Sequence, residues 1–315
     1  MSAILIAILD SNPKAWGEEF RALAPTRDIR LWPDGVGNPA DVAYACVWEP
    51  PQGLLANFAN LKAILSLGAG VDHITADPSL PDVPIVKMAD PDLTMRMTEY
   101  VVLHVLIAHR RLRLYDAQQR QRLWRDHNQS AANKVAVGIM GLGVLGRDAA
   151  DVLTRIGFNV AGWSRTSKKF PGIQTFHGDG ELDAFLARTE ILVCLLPHTA
   201  RTEGILNRTL FHKLKRDGAL GGAVLINAGR GKLQIDAEIV DALDRGILTA
   251  ATLDVFATEP LADTSPLWAH PKITITPHNA ALSDARLMAS NMLKQIERLE
   301  RGLPFENVVD RGAGY

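Results

Sequence analysis

The stretch "VAVGIMGLGVLG", residues 135–146, decides the fold of this chain. Its first half is mostly apolar and predicts a buried strand, and a helical pattern opens at its last glycines. The glycines follow the spacing G-x-G-x-x-G: the first permits a tight turn, the second lets the backbone approach a pyrophosphate, and the third lets helix and strand pack closely. We therefore predict a dinucleotide site at a helix N-terminus. The predicted contacts are Gly141, Gly143, Val144, Leu145 and Gly146.

Downstream, "VAGWSRTSKKF", residues 160–170, begins as an apolar strand and ends in hydroxyls and cations. About 20 residues after such a glycine turn, an acid usually bonds the adenosine ribose of NAD, but this chain has Ser164, Arg165 and Thr166 there. An acid would repel a 2′-phosphate, whereas an arginine offers it a planar fork, hydroxyls can donate to it, and Lys168 adds positive potential. We therefore predict NADP, with NADPH preferred over NADH; the alternative is an ordinary solvated basic loop.

Strand-like and helical patterns alternate along the whole chain, which predicts α/β architecture with parallel sheets. From residue 134 onward, six apolar runs predict strands at residues 135–140, 160–163, 191–196, 224–227, 251–255 and 273–276. Helices are predicted between them at residues 147–156, 180–187, 208–214 and 234–243. Upstream, four apolar runs predict another α/β unit, at residues 3–9, 41–48, 61–68 and 83–88. The expected fold is two Rossmann-like doubly wound domains with an active-site cleft between them.

The domain boundaries are predicted from two helical patterns. One covers residues 93–124, with apolar positions at spacings of three and four and a basic end. The other, residues 283–301, is expected to return the chain to its first unit. The predicted domains are residues 1–98 with 285–315, which bind substrate, and residues 99–284, which bind NADP.

Composition limits the classes of partner. The 315 residues suggest about two domains, and 34 Lys and Arg balance 35 Asp and Glu, which speaks against nucleic acid or an anionic membrane surface as partner. No apolar run approaches the length of a transmembrane helix. Cys46 and Cys194 stand in apolar runs, which predicts buried thiols in a reducing compartment and neither a disulfide nor a metal site. We expect a cytoplasmic protein that acts on a small molecule.

Three polar residues stand at or just beyond predicted strand ends: Arg230 in "VLINAGRG", Glu259 in "TLDVFATEP" and His278 in "ITITPHNA". Ligands of open α/β sheets bind at the carboxyl ends of the strands. There, an arginine can grip a substrate carboxylate, a histidine can protonate a carbonyl oxygen, and a glutamate can fix the tautomer of that histidine. Taken singly, each has an ordinary structural explanation: the arginine can cap a turn and the histidine can be a core residue.

The chain resembles the D-isomer-specific 2-hydroxyacid dehydrogenases. The motifs that carry this resemblance occur in the order seen in that family, and they are "GLGVLG", "LLPHT", "INAGRG", "LDVFATEPL" and "TPHNA". Within that family, "CVWEPP", "SLGAGVD", "GWSRT" and "SPLWAHPKITITPH" resemble the glyoxylate/hydroxypyruvate reductase A group. The match runs from about residue 40 to the end. It is incomplete in "KRDGALGGAVLIN", where the glycines between Gly218 and Gly222 predict a longer surface loop of unassigned role.

This resemblance implies roles in catalysis and cofactor binding. Arg230, Glu259 and His278 match the family's substrate-binding arginine, its glutamate and its acid/base histidine. Asp254 matches the aspartate that positions the nicotinamide carboxamide. Further cofactor contacts are implied for Pro197, Thr202 and Ala228.

The resemblance also implies the substrate contacts and a homodimer. Trp48 matches a tryptophan that lines the substrate pocket, and Trp124 falls in the loop that family dimers insert towards the neighbouring subunit. A loop whose backbone N–H groups bind the substrate carboxylate, as an anion nest, matches Leu67, Gly68, Ala69 and Gly70.

The expected function is NADPH-dependent reduction of glyoxylate to glycolate and of hydroxypyruvate to D-glycerate, with His278 as proton donor. No metal is expected. Two alternatives stay open: reduction of another, pyruvate-like 2-keto acid, and a non-catalytic protein that senses a nucleotide.

Overall fold

The computed structural model describes residues 2–9, 12–88, 90–282 and 284–312. The chain forms two compact units, unit 1 from Met1–Leu93 with Leu282–Tyr315 and unit 2 from Thr94–Ala281. These divisions lie a few residues before the predicted ones, which follow residues 98 and 284. Its assignment of substrate to one domain and cofactor to the other stays a prediction.

Twelve strands and nine α-helices lie in the described ranges. The strands are β1 (Ala3–Ile8), β2 (Ile29–Leu31), β3 (Val42–Trp48), β4 (Ala63–Ser66), β5 (Ile85–Val86), β6 (Ala136–Met140), β7 (Asn159–Ser164), β8 (Gln174–His177), β9 (Ile191–Cys194), β10 (Ala223–Asn227), β11 (Leu248–Leu253) and β12 (Ile273–Ile275). The helices are α1 (Pro13–Leu23), α2 (Asp72–Thr75), α3 (Pro91–His109), α4 (Leu112–Arg120), α5 (Val144–Ile156), α6 (Leu182–Arg188), α7 (Arg208–Lys213), α8 (Asp236–Asp244) and α9 (Ala285–Glu300).

Unit 1 is a five-stranded parallel sheet in the order β2-β1-β3-β4-β5. Alternate residues of β1 enter two different cores: Ile4 and Ile6 on one face, Leu5 on the other. Both faces are therefore covered, as a parallel sheet requires. Met288 and Met292 of α9 lie in the same core as Ile4, and so the last helix completes unit 1.

Unit 2 is a seven-stranded parallel sheet in the order β12-β11-β10-β9-β6-β7-β8. From β6 the chain adds β7 and β8 on one side, and then crosses back to add β9 to β12 on the other. The reversal between β6 and β9 is the position at which doubly wound sheets bind ligands. The glycine turn follows β6 directly, so it stands at this position. The expected α/β class with two parallel-sheet domains is confirmed.

Three local predictions needed correction. The single helix expected over residues 93–124 is two helices, because Arg111 adopts the left-handed conformation (φ 54°) between α3 and α4. Strand β8 was missed because its half-exposed sequence lacks apolar alternation, and β2 because it has only three residues. The six strands predicted for unit 2 are all present, with ends that differ by up to three residues. Ser283, the first residue of the last predicted helix, lies outside the described residues.

Candidate active site

The glycine turn has the geometry of a phosphate-binding turn. Gly141 has a φ of +106°, and its N–H donates to the carbonyl of Trp163 at 2.9 Å. A methyl group on Gly146 would lie 1.9 Å from the carbonyl oxygen of Gly141, so only glycine permits this close approach of the helix to the turn. In the part of the chain that the structure describes, no heavy atom lies within 4 Å of a methyl group built on Gly143, and no side chain caps α5 there. The N–H groups that open α5 are left for an anion.

The loop after β7 presents part of the predicted cationic cluster. Arg165 and Thr166 are exposed at the end of the strand. Ser164 is buried, and its hydroxyl donates to the carbonyl of Thr166 at 2.9 Å. Lys168 donates through Nζ to the carbonyl of Leu142, within the glycine turn, at 2.7 Å. Lys168 and Ser164 therefore fix the shape of the loop, whereas Arg165 and Thr166 lie at its surface.

Three more of the predicted cofactor residues, Pro197, Thr202 and Ala228, follow the neighbouring strands β9 and β10. Thr202 donates through Oγ1 to the carbonyl of Pro197 at 2.8 Å and accepts the N–H of Thr199 at 2.8 Å, which closes a compact turn. The N–H of Ala228 donates to the carbonyl of Cys194 at 3.2 Å. Because carboxyl ends of parallel strands share one edge of a sheet, these residues stand at the same edge as the glycine turn.

His278 and Glu259 form a direct pair at that edge. Nδ1 of His278 lies 2.6 Å from Oε2 of Glu259, and Oε1 of the same carboxylate accepts the N–H of Phe256 at 2.7 Å. Because a carboxylate only accepts, Nδ1 carries the hydrogen. The other ring nitrogen, Nε2, is therefore the one that can exchange a proton with a substrate.

The charges of this pair favour a protonated histidine. The hydrogen bond to Glu259 raises the pKa of His278 above its usual value, against burial and the positive charge of Arg230, which lower it. Burial acts to raise the pKa of Glu259, but the hydrogen bonds from His278 and the Phe256 N–H, with the charge of Arg230, hold that pKa below its usual range. The pair thus favours the protonated form of the imidazole.

Arg230 stands on a turn that an interior asparagine fixes. Asn227 is fully buried, and Nδ2 donates to the carbonyl of Arg230 at 3.1 Å and to Oε1 of Gln234 at 2.8 Å. A methyl group on Gly231 would lie 1.8 Å from the carbonyl carbon of Phe256, so this turn lies directly against the segment that leads to Glu259. The turn of Arg230 thereby lies close to the segment that carries Glu259, which pairs with His278. Their catalytic roles stay a prediction. Sequence reasoning missed the fixing role of Asn227, although a polar residue at the end of an apolar strand was a signal for it.

Asp254, which follows β11, is buried and holds the loop that carries His278. Its Oδ1 accepts from Oγ1 of Thr276 at 2.6 Å and from the N–H of Asn279 at 3.0 Å, and Oδ2 accepts the N–H of Ala280 at 3.1 Å. The backbone carbonyl of Asp254 accepts the N–H of His278 at 2.8 Å. The loop is therefore fixed on both sides of His278, whose own φ is +50°.

The predicted substrate contacts of unit 1 form a group of their own. Trp48 covers Gly68 so closely that a methyl group there would lie 2.1 Å from the indole ring. The N–H of Leu67 donates to the carbonyl of Val47 at 2.9 Å, and the N–H of Gly68 reaches Oγ of Ser66 at 3.3 Å. Two of the four predicted anion-binding N–H groups are thus used within the unit. The other two belong to Ala69 and Gly70.

The glycine-rich insertion lies at the opposite edge of the unit 2 sheet. The carboxylate of Glu190, just before β9, is fully buried and accepts the N–H groups of Ala136 and Leu220, both at 3.1 Å. A methyl group on Gly218 would lie 2.1 Å from Oε1 of Glu190. The insertion therefore covers a buried carboxylate at the amino ends of the strands, which is a structural role remote from the proposed chemistry.

Among the residues that the structure describes, no group of three or more His, Cys, Asp or Glu side chains could hold a metal ion. Cys46 and Cys194 are free thiols and fully buried. Burial raises the pKa of both thiols, that of Cys194 to about 12, so neither is a nucleophile at neutral pH. No described helix combines the length and apolarity that crossing a bilayer would need.

A glycine turn at the switch point of a doubly wound sheet, with a His–Glu pair and an arginine at the same edge, defines the nucleotide-dependent oxidoreductase class. The chain belongs to the D-isomer specific 2-hydroxyacid dehydrogenase family: a sequence profile of that family's NAD binding domain matches residues 102–280. The predicted resemblance is confirmed.

Relatives that match nearly the whole chain indicate which group within this family the chain is similar to. The chain is 41% identical over 308 residues to a glyoxylate/hydroxypyruvate reductase A of Yersinia enterocolitica, with 96% of each chain covered. It is 44% identical to the NADPH-dependent glyoxylate/hydroxypyruvate reductase of Sinorhizobium meliloti, solved with NADP and sulfate, with a TM-score of 0.95 and 100% of both chains covered. A probable 2-hydroxyacid dehydrogenase of Rhizobium etli, solved with NADP, HEPES and L(+)-tartaric acid, is 45% identical, with a TM-score of 0.94 and the same coverage.

Proposed function

We propose that this protein reduces small 2-keto acids with NADPH, glyoxylate to glycolate and hydroxypyruvate to D-glycerate. The observation that carries the proposal is the 2.6 Å contact between His278 and Glu259 beside the turn of Arg230, at the ligand-binding edge of a Rossmann unit. The relatives named as glyoxylate/hydroxypyruvate reductases support the substrate class, because their matches cover nearly the whole chain.

The residues present fit NADP. The open space at Gly143 and the uncapped start of α5 suit a pyrophosphate, and exposed Arg165 and Thr166 suit a 2′-phosphate. Lys168 would act indirectly, because its ammonium already binds the glycine turn. When bound, the nicotinamide supplies the hydride that reaches the keto carbon.

The chain itself supplies the proton and the orientation. His278 would give the proton on Nε2 to the carbonyl oxygen, while Glu259 keeps Nδ1 protonated and stabilises the charged ring. Arg230 would bind the substrate carboxylate through its guanidinium and polarise the adjacent carbonyl. After turnover, Nε2 regains its proton from solvent.

The substrate contacts of unit 1 belong to the same proposal. The N–H groups of Ala69 and Gly70 would bind the carboxylate, and Trp48, whose ring lies 4.5 Å from that of His73, would form an apolar wall. A wall of this kind favours two- and three-carbon acids, but it discriminates by only about 1–3 kcal/mol per methylene. Pyruvate is itself a three-carbon acid, so some activity on it is expected.

A panel of glyoxylate, hydroxypyruvate and pyruvate, each with NADPH and with NADH, tests the proposal by the loss of reduced-cofactor absorbance. We expect fast oxidation of NADPH with the first two acids and slower oxidation with NADH. A protein that quenches NADPH fluorescence but oxidises none of it with any of these acids would be a nucleotide sensor, and the proposal would be wrong.

We also propose that the protein forms a homodimer and is located in the cytoplasm. Trp124 is fully exposed in a segment that follows α4 without regular secondary structure, as suits a residue covered by a second copy. Sedimentation of the wild-type protein and of Trp124→Ala tests the dimer, since a monomer in both would reject it. The free thiols of Cys46 and Cys194 suit a reducing compartment.

A further inference from the structure

The hydroxyl of Thr276 lies between one carboxylate and one phenol hydroxyl. Its Oγ1 lies 2.6 Å from Oδ1 of Asp254 and 2.7 Å from the hydroxyl of Tyr100. The carboxylate can only accept, so the single hydroxyl hydrogen of Thr276 goes to Asp254. Tyr100 must then be the donor to Thr276. The hydrogen bonds therefore run in one direction, from Tyr100 through Thr276 to Asp254.

Tyr100 is placed to keep this role. It lies on α3, is only 9% exposed, and packs its ring against that of His104 with the centroids 4.3 Å apart. Burial raises the pKa of Tyr100, so its hydroxyl stays protonated and remains a donor across the range in which the enzyme would work. Within the described residues, Tyr100 and Thr276 are separated by 176 positions in sequence, so this contact joins distant parts of unit 2.

Building on the function proposed above, we propose that Tyr100 and Thr276 are positioning residues for His278, which they hold against Glu259 through Asp254. His278 adopts a left-handed backbone conformation that a non-glycine residue keeps only when its surroundings impose it. The hydrogen bonds onto Asp254 impose it, because they fix the loop before and after His278. A donor on Thr276 strengthens the next bond in the chain by polarising it.

Loss of either hydroxyl has a specific expected effect. The charged groups that act on His278 are Glu259, Arg230 and Asp254, and none of them is removed when Tyr100 or Thr276 loses its hydroxyl. A looser loop lengthens the contact between His278 and Glu259, which is the largest cause of the raised pKa of the histidine. That pKa should therefore fall towards its ordinary value.

Proton NMR titration of the histidine rings measures this effect in the full-length protein without substrate. The variants are Tyr100→Phe, Thr276→Val and Thr276→Ser, and His278→Ala identifies the signal. Tyr115→Phe is the matched control, because it removes a phenol of the same unit that lies outside this chain of hydrogen bonds. We expect Tyr100→Phe and Thr276→Val to lower the pKa of His278, and Thr276→Ser and Tyr115→Phe to leave it unchanged.

Steady-state kinetics with NADPH and glyoxylate give the second measurement. A misplaced acid slows the chemical step, so kcat should fall roughly 3–30-fold in Tyr100→Phe and Thr276→Val, while Kd for NADPH stays unchanged. The serine variant should recover wild-type kcat. If no variant of this chain, wild type included, reduces a keto acid, the proposed function fails, yet the titration still decides the positioning role.

A folded Tyr100→Phe or Thr276→Val protein with the wild-type His278 titration would overturn the inference. A Tyr100→Phe protein that does not fold would also overturn it, because the inference gives that hydroxyl a positioning role and no role in folding.

Discussion

Glu259→Gln tests how the carboxylate sets the working range of His278. Reduction needs a protonated ring, so kcat/KM should fall as pH rises through the raised pKa of His278. The amide keeps the shape of the side chain but removes its negative charge, which weakens the hydrogen bond from Nδ1 of His278. The descending limb of the profile should therefore move to lower pH, with little change on the acid side.

The size of this shift follows from the 2.6 Å contact and its exposure. A hydrogen bond between charged groups contributes about 1.5–3 kcal/mol, and one pKa unit corresponds to about 1.4 kcal/mol. The two side chains are 37% and 34% exposed, so solvent screens part of this energy. We expect a displacement of roughly one pH unit.

The assay is kcat/KM for glyoxylate at saturating NADPH, measured across the neutral and alkaline range. Glu181→Gln is the matched control, because it removes the carboxylate from another His–Glu pair of unit 2, where His177 Nδ1 lies 2.9 Å from Glu181. Its profile should match that of the wild type. If the limb of Glu259→Gln stays in place, a group other than His278 donates the proton.

Three further substitutions test separate parts of the site. His278→Ala should lower turnover by about 10²–10⁴-fold with NADPH affinity retained in fluorescence titration, and near-normal turnover would exclude it from the chemistry. Arg165→Ala should weaken NADPH binding roughly 10–150-fold, the loss of a charge-assisted bond, and leave NADH binding nearly unchanged; equal losses for both cofactors would reject the 2′-phosphate contact. Gly231→Ala should lower stability by about 1–3 kcal/mol in denaturant melts and reduce kcat, because its methyl group would meet the Phe256 carbonyl carbon at 1.8 Å. Gly180→Ala, where such a methyl group meets open space, is the control, and equal destabilisation in both would contradict the close-approach argument.

The sequence predicted the features that local patterns encode. The glycine turn and the long apolar runs predicted the parallel sheets, because buried strands of such sheets are apolar on both faces. The break at Arg111 could not be predicted, since the helical spacing of apolar residues continues through it. Strand β8 carries the pattern of a half-exposed sheet edge, which apolar runs do not reveal.

The site was predicted less completely than the fold. Arg230, Glu259 and His278 were predicted as site residues because strand ends and a family resemblance both point to them. The support of Tyr100 for Thr276 depends on a contact 176 residues apart, and no local pattern encodes such a contact. Residues 67–70 were predicted as an anion-binding loop, and the N–H groups of Leu67 and Gly68 make hydrogen bonds within unit 1 that no sequence pattern encodes.

Unit 1 is built from two separate segments of the chain, so it cannot fold completely until the second segment has been synthesised on the ribosome. Unit 2 is one uninterrupted segment, so it can bury its sheet as soon as residue 281 has emerged. One face of the amino-terminal strands stays uncovered until α9 has been synthesised, because Ile4 and Ile6 share a core with Met288 and Met292. At about 5–20 residues per second, the roughly 200 residues between residue 93 and α9 keep the nascent strands uncovered for roughly 10–40 s. During that interval, the amino-terminal segment is the part of the nascent chain that most needs a chaperone, because its apolar strands are exposed.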